Sequence, residues 1–249
     1  MLARGDRLHA EGGGMSPDQM VIDGIGAEMF ALIAKIYPIC RSVTGDGVRQ
    51  TLREVAAHIP LAIHEVPTGT PVFDWTIPRE WNIRDAWIKD ARGEKIVDFK
   101  RSNLHVMSYS VPVHRHMSLG ELKQHIHTLP GQPDLIPYRT SFYSENWAFC
   151  MSHRQFEALR DEAYEVSIDS SLSDGHLTYG EYLHRGETQD EFLLSAHVCH
   201  PSLANDNCSG IALLAHLAKR LSGLRTRYSY RFLFAPATIG AITWLARNE

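Results

Sequence analysis

The chemistry-bearing residues of this chain concentrate between Ser195 and Gly210. This stretch holds two histidines, two cysteines, one aspartate and two asparagines. An apolar run at 192–196 leads into it, and an apolar pattern with helical spacing at 211–221 leads out of it. Imidazole, carboxylate and amide groups at a junction between a strand and a helix can form a binding site at the carboxyl edge of an open α/β sheet.

His197 and Asp206 are the candidate metal ligands of this stretch. An imidazole that follows a strand can present a ring nitrogen to zinc. A carboxylate just before a helix can bridge two metal ions, and a two-metal site activates water and stabilises both oxygens of a displacement. The residues alone support a second interpretation equally well, in which Asp206 caps the helix and His197 is a hydrogen-bonded structural histidine.

Three further residues, His200, Asn205 and Asn207, are candidates for binding substrate or a second metal. The asparagines can also fix the loop through local backbone hydrogen bonds.

The spacing of Cys199 and Cys208 is not that of a zinc ribbon. A thiol nucleophile formed by Cys199 with His200 as its base is disfavoured, because adjacent residues of an extended segment point to opposite sides.

The elements that must position these residues follow from the apolar periodicity. Strands are predicted at 190–197 and 228–235, and helices at 208–222 and 238–248. This β-α-β-α succession is typical of an α/β fold with a parallel sheet and helices on its faces. The loop with the candidate ligands then lies at the carboxyl end of the first of these strands.

The earlier part of the chain predicts two domains. We assign 16–71 and 150–249 to the α/β domain, with helices at 20–37 and 46–58 and a strand at 61–66. We assign 72–149, which is rich in aromatic residues and prolines, to a small inserted α+β domain. Other predicted features are a hairpin turning at 91–93, capping boxes at 118–121 and 152–155, strands at 164–168 and 176–184, and a disordered lead-in at 1–15.

The composition and charge of the chain exclude several classes of partner and location. The chain has 249 residues, a net charge of −4 and a pI near 6.4, so we expect no nucleic-acid partner. It has no apolar run long enough to span a bilayer and no apolar core of a secretory signal, so we expect no membrane association. Four scattered cysteines then favour reduced thiols in the cytoplasm. A homo-oligomer is compatible with the sequence.

Several segments carry a resemblance to a known family. The sequence around His197 and Asp206, Ser-Ala-His-Val-Cys-His-Pro-Ser-Leu-Ala-Asn-Asp-Asn-Cys-Ser-Gly, resembles the aminopeptidase-like proteins of bacterial polysaccharide-biosynthesis clusters. These are similar to the co-catalytic zinc aminopeptidases. Segments 33–45, 73–86 and 228–240 resemble the family's N-terminal helix and turn, the start of its inserted domain and its next strand, in the right order.

The resemblance implies a three-layer α/β/α aminopeptidase-like domain with an insert and His197 and Asp206 as ligands of one or two zinc ions. It implies hydrolysis of a peptide or amide bond in a small peptide or amino-acyl substrate. Two departures stand against this activity. Ala237 lies where the family's zinc enzymes carry the general-base glutamate, and their remaining ligands correspond to positions beyond Glu249, so we expect the chain to be part of a longer product. The alternative is a non-catalytic binding or scaffold protein with the same fold.

Overall fold

The computed structural model describes residues 17–142, 144–160 and 163–249, so the predicted disordered lead-in at 1–15 lies outside the described residues. The helices are α1 (Pro17–Ile36), α2 (Asp46–Ala56), α3 (Leu119–Lys123), α4 (His153–Glu157), α5 (Ser209–Leu221) and α6 (Ala237–Ala246). The strands are β1 (Ala62–Pro67), β2 (Pro71–Val72), β3 (Trp75–Thr76), β4 (Glu80–Lys89), β5 (Lys95–Asp98), β6 (Val113–Ser118), β7 (Ile126–His127), β8 (Phe149–Cys150), β9 (Ala163–Ser173), β10 (His176–His184), β11 (Glu191–His197) and β12 (Ser229–Ala235).

The first sheet has the strand order β1-β10-β12-β11. β11 and β12 pair in parallel, which confirms the prediction for these two strands. β10 lies outside the β-α-β-α portion for which a parallel sheet is predicted, and it runs antiparallel to both β1 and β12. The reason is the short connection at 185–190 between β10 and β11, because a parallel crossover needs a dozen residues or more.

Helices cover both faces of this sheet. Phe232 and Phe234 of β12 are buried with apolar residues of α1, α2 and α5. Leu233 and Ala235, the alternate residues of the same strand, are buried with residues of α6. Since successive strand residues point to opposite faces, β12 has an apolar core on each side. The result is the three-layer α/β/α arrangement that the family resemblance implies.

A second sheet with the order β5-β4-β9-β6 is antiparallel throughout. It encloses its own core, to which β4, β9 and α3 contribute buried apolar residues. The sheet takes strands from the predicted insert, 72–149, and also β9, which follows that range. The insert boundaries stay a prediction.

The structure contains the predicted hairpin and both predicted capping boxes. β4 and β5 form a hairpin, in which the Asp90 N–H donates to the Glu94 carbonyl at 3.0 Å and Gly93 has φ of 80°. Ser118 and Ser152 each form a reciprocal capping box with the residue three positions on. No helix of the described ranges is long and apolar enough to cross a bilayer.

An ion pair joins α2 to the second sheet. Arg49 of α2 donates to both carboxylate oxygens of Glu80 in β4, at 2.8 and 2.6 Å. Glu80 also accepts the backbone N–H of His176 at 2.9 Å. The hydrogen bonds from Arg49 lower the pKa of Glu80 to about 2, so the bidentate pair stays charged at neutral pH.

We predict that Gly47→Ala destabilises the protein. A Cβ at Gly47 would lie 1.9 Å from the carbonyl oxygen of Cys40, so the turn between α1 and α2 must shift. Urea denaturation should show a loss of about 1–3 kcal/mol in the free energy of unfolding. The matched control is Gly26→Ala in α1, where no atom lies within 4 Å of the added Cβ. Helix propensity should raise stability there by about 1 kcal/mol. Equal effects at both glycines would contradict this packing.

Candidate metal centre

β11 carries His197 to the carboxyl edge of the first sheet. The backbone pairing runs to the last residue of both strands, where His197 faces Ala235, and the Val198 N–H continues it by donating to the Ala235 carbonyl at 3.1 Å. The His197 side chain is exposed, and its ring nitrogens have no hydrogen-bond partner among the described residues. The alternative interpretation of His197 as a hydrogen-bonded structural histidine therefore has no support among the described residues.

The turn that precedes α5 places Asp206 beside the same strand. Residues Ala204–Cys208 form a single wide helical turn that packs against β11, and Asp206 and Asn207 leave helical geometry within it. Asn207 Oδ1 accepts the Gly210 N–H at 3.1 Å. The residue that caps the start of α5 is thus Asn207, and the Asp206 side chain, 60% exposed, is left for another role.

His200 and Asp206 form a pair. Nδ1 of His200 lies 3.1 Å from Oδ1 of Asp206 and 3.1 Å from its carbonyl oxygen. The ring edge of Tyr138 packs on His200, with the centroids 4.9 Å apart. Because His200 holds one carboxylate oxygen, it orients Asp206 as the partner of a metal ligand does. Asn205, also exposed, accepts a hydrogen bond from Ser209 through its carbonyl at 3.4 Å.

A buried arginine, Arg41, donates hydrogen bonds to the loop that carries the candidate ligands. Arg41, 1% exposed, follows α1; its Nε donates to the His200 carbonyl at 2.9 Å and its Nη2 to Cys208 Sγ at 3.2 Å. Nη1 donates to the Ile36 carbonyl. Burial lowers the pKa of Arg41, and no carboxylate of the described residues forms an ion pair with it. One guanidinium therefore connects α1 to both ends of the candidate loop.

The donors fit part of a zinc site. An imidazole and a carboxylate, both exposed at one sheet edge, are donors that zinc accepts. Catalytic zinc sites use three protein ligands, whereas the described ranges contain no cluster of three or more His, Cys, Asp or Glu residues with metal-binding geometry. His197 and Asp206 can thus supply two ligands, with further ligands needed from elsewhere.

Ala237 occupies the position that the resemblance assigns to a glutamate. It begins α6 directly after β12 with φ of 48°, and the turn Ala235–Gly240 contains no carboxylate. No general base for hydrolysis is therefore present at this turn.

The cysteines are poor nucleophiles. Burial raises the pKa of Cys199 to about 11, against the opposing effect of a hydrogen bond from the Ala237 N–H. Burial also raises the pKa of Cys150 to about 12 and that of Cys208. A thiol protonated at neutral pH does not attack, so the geometry disfavours Cys199 chemistry as the sequence predicts.

Sequence reasoning missed Arg41 and Tyr138. Arg41 lies inside the segment 33–45 that carries the resemblance, and this was the available signal. Nothing in the local sequence shows that its side chain reaches His200, 159 residues later. Tyr138 lies in the predicted insert, 72–149, and no sequence pattern indicates that its ring packs on His200.

The chain belongs to the family described as a domain of unknown function, DUF4910, which matches residues 30–249. A Clostridium acetobutylicum protein, provisionally described as a polysaccharide biosynthesis protein with aminopeptidase-like domain, is 61% identical over 224 residues. That match covers 90% of this chain and 52% of the relative. This chain thus spans about half the length of the relative it matches.

Solved structures show the fold class. A crystal structure from Clostridium acetobutylicum, provisionally described as a peptidase, has a TM-score of 0.89 at 58% identity, covering 92% of this chain and 56% of that one. A zinc aminopeptidase from Bacillus subtilis has a TM-score of 0.54 at 12% identity, covering 85% and 61%. The chain therefore has an aminopeptidase-like fold.

We predict that Arg41→Leu destabilises the protein strongly. The substitution leaves the buried carbonyl of Ile36 and the partly buried carbonyl of His200 without their donor. Each unsatisfied buried group costs about 1–3 kcal/mol in the free energy of unfolding. Urea denaturation measures the loss. Arg53→Leu, at an exposed position of α2, should change stability by less than about 0.5 kcal/mol. A small effect at Arg41 would mean that water or another donor replaces the guanidinium.

We predict that the buried thiols resist alkylation. A pKa raised above the ordinary value leaves less thiolate at a given pH, so at pH 8 Cys150, Cys199 and Cys208 should react with iodoacetamide far more slowly than in the unfolded chain. Mass spectrometry of the peptides after native labelling and after labelling in guanidinium gives the two rates. Rapid native labelling of Cys199 would contradict its burial.

Proposed function

We propose that this chain forms part of a zinc-dependent, aminopeptidase-like hydrolase that cleaves a peptide or amide bond. The observation that carries the proposal is the placement of two exposed ligand-type side chains, His197 and Asp206, at the carboxyl edge of an aminopeptidase-like sheet. His200 holds Asp206, which is the arrangement of a supported metal ligand. The whole protein's remaining ligands would come from the region that the longer relatives have and this chain does not span.

A zinc ion bound at this edge would supply Lewis acidity toward the carbonyl of the scissile bond. The chain's own residues have separate roles in this proposal. His197 presents its free imidazole, His200 orients the Asp206 carboxylate, and Asn207 fixes the turn through the Gly210 N–H. Arg41 holds the backbone at His200 and so keeps the turn against β11.

The substrate we propose is a small peptide or an amino-acyl compound. The relative's description as a polysaccharide biosynthesis protein favours an amino-acylated or amidated sugar among these. We also propose the cytoplasm as the compartment, because the four cysteines are free thiols, which a reducing environment maintains.

A second candidate function is a non-catalytic binding or scaffold protein that retains the fold. The observation that favours it is Ala237 at the start of α6, in a turn without a carboxylate. The two functions differ in whether substrate is hydrolysed when metal is bound.

We predict that zinc content depends on His197 and Asp206. Mass spectrometry of metals on the purified full-length protein, which includes the region that this chain does not span, should give about one zinc ion per protein molecule after zinc loading and dialysis. His197→Ala with Asp206→Asn should lower it at least about tenfold, and His200→Ala should weaken zinc affinity by about 10–100-fold. His116→Ala with Asp174→Asn, at exposed positions of β6 and of the turn between β9 and β10, is the matched control.

Hydrolysis of amino-acyl amides then separates the two functions. Activity that needs zinc, cobalt or manganese and disappears in the double variant supports the hydrolase. Retained zinc with no hydrolysis by the full-length protein supports the scaffold. A protein that retains no zinc after loading would overturn the metal site.

A further inference from the structure

The imidazole of His200 has contacts with two parts of the chain that are distant in sequence. Its Nδ1 lies 3.1 Å from Oδ1 of Asp206, in the same loop. The ring of Tyr138 packs against the imidazole, with the centroids 4.9 Å apart and the planes at 67°. Such a T-shaped arrangement is favourable for two aromatic groups. A ring from the predicted insert, 72–149, therefore reaches the loop that carries the candidate ligands.

The contact with Arg41 fixes the backbone of His200 but not its ring. Arg41 Nε donates to the His200 carbonyl at 2.9 Å, and this bond does not restrain the two side-chain torsions. The outer torsion of a histidine has a broad, roughly two-fold energy profile, so neighbours must decide between the two ring orientations. Rotation by half a turn would bring a ring carbon to the place where Nδ1 faces Asp206. The orientation of the ring thus decides whether the Asp206 carboxylate has its partner.

Tyr138 is restrained by its own surroundings. The Ser108 N–H donates to the Arg139 carbonyl, and the Ser141 N–H donates to the Ser108 carbonyl, each at 2.9 Å. Ser108 is 1% exposed. The side chains of Ser108 and Thr140 also interact with the Tyr138 hydroxyl. The backbone beside Tyr138 and the far end of its side chain are therefore both held.

The segment that ends at Ser108 belongs to the core of the second sheet. Val106 forms a β-bridge with Phe149, and both side chains are buried in that core. A continuous set of contacts therefore runs from the second sheet's core through Ser108 and Tyr138 to His200. The ring of Tyr138 has a fixed place from which to restrain the imidazole.

We propose that Tyr138 is a positioning residue of the candidate metal centre, because its ring holds the His200 imidazole with Nδ1 toward Asp206. The consequence for zinc rests on the function proposed above, whereas the orientation of the imidazole requires no metal. The first sheet's domain fixes the backbone of the loop through Arg41, and the insert fixes the orientation of its imidazole.

Nuclear magnetic resonance of the chain without metal tests the orientation. Overhauser effects should join the rings of Tyr138 and His200. At mildly alkaline pH, where an ordinary imidazole is neutral, isotope-labelled His200 should carry its hydrogen on Nδ1, because both Asp206 oxygens that face this nitrogen are acceptors. Tyr138→Leu should shift His200 toward the other tautomer. Tyr138→Phe should keep the native tautomer, since the ring remains.

Zinc affinity of the full-length protein tests the consequence for the metal centre. Tyr138→Leu should weaken zinc binding by about three- to tenfold, which corresponds to the loss of one aromatic pair. Tyr138→Phe should stay within about twofold of the native affinity, because it keeps that pair. In a His200→Ala background Tyr138→Leu should have no further effect, since Tyr138 acts through that ring.

Tyr230→Leu is the matched control. Tyr230 is also partly buried, and its ring stacks on that of Phe192 with the centroids 5.6 Å apart. This pair lies at the opposite end of β11 and β12 from His197. The substitution should change neither the His200 tautomer nor zinc affinity. Thermal melts of all variants separate loss of the fold from loss of the orientation.

Three results would overturn the proposal. One is a native protein without Overhauser effects between the two rings, or with the His200 hydrogen on Nε2; this result needs no variant and decides where Tyr138→Leu does not fold. Another is an unchanged tautomer in folded Tyr138→Leu. The third is an equal loss of zinc affinity from Tyr138→Leu with and without the His200 ring. A full-length protein that binds no zinc would overturn the proposed function, and the tautomer would still decide the role of Tyr138.

Discussion

The buried guanidinium of Arg41 is the interaction on which the candidate site depends. It connects the end of α1, the backbone at His200 and the thiol of Cys208 through one planar group with several donors. A cation this deeply buried is stable only if its N–H groups are satisfied, and here backbone carbonyls, a thiol and a hydroxyl do this. The N-terminal helix and the loop before α5 therefore hold their relative positions together.

A second charged residue, Glu80, connects the two sheets in a similar way. Glu80 of β4 takes both nitrogens of Arg49 from α2 and the N–H of His176 at the start of β10. The hydroxyl of Thr44 adds contacts to Tyr109 at 2.6 Å and to the Trp81 N–H at 3.0 Å. These contacts therefore hold α2 and the turn before it against β4 and the start of β10.

The division of tasks within the loop follows from hydrogen-bond geometry. Asn207 caps α5, which frees the Asp206 carboxylate, and His200 then holds that carboxylate. An aspartate that both capped a helix and bound a metal would have to satisfy two geometries at once. The tandem of an aspartate and an asparagine separates these tasks, and the same turn leaves His197 exposed at the strand end.

Local sequence determined the elements, because apolar periodicity, capping boxes and turn residues act over a few positions. It predicted β11, β12, α5 and both capping boxes, and it marked His197 and Asp206 as candidates. It left open whether Asp206 caps the helix, and it did not indicate the contacts of Arg41, the contact of Tyr138 with His200 or the antiparallel direction of β10. Only the tertiary structure decided these features, because each depends on contacts between segments distant in the chain, whose partners no local pattern specifies.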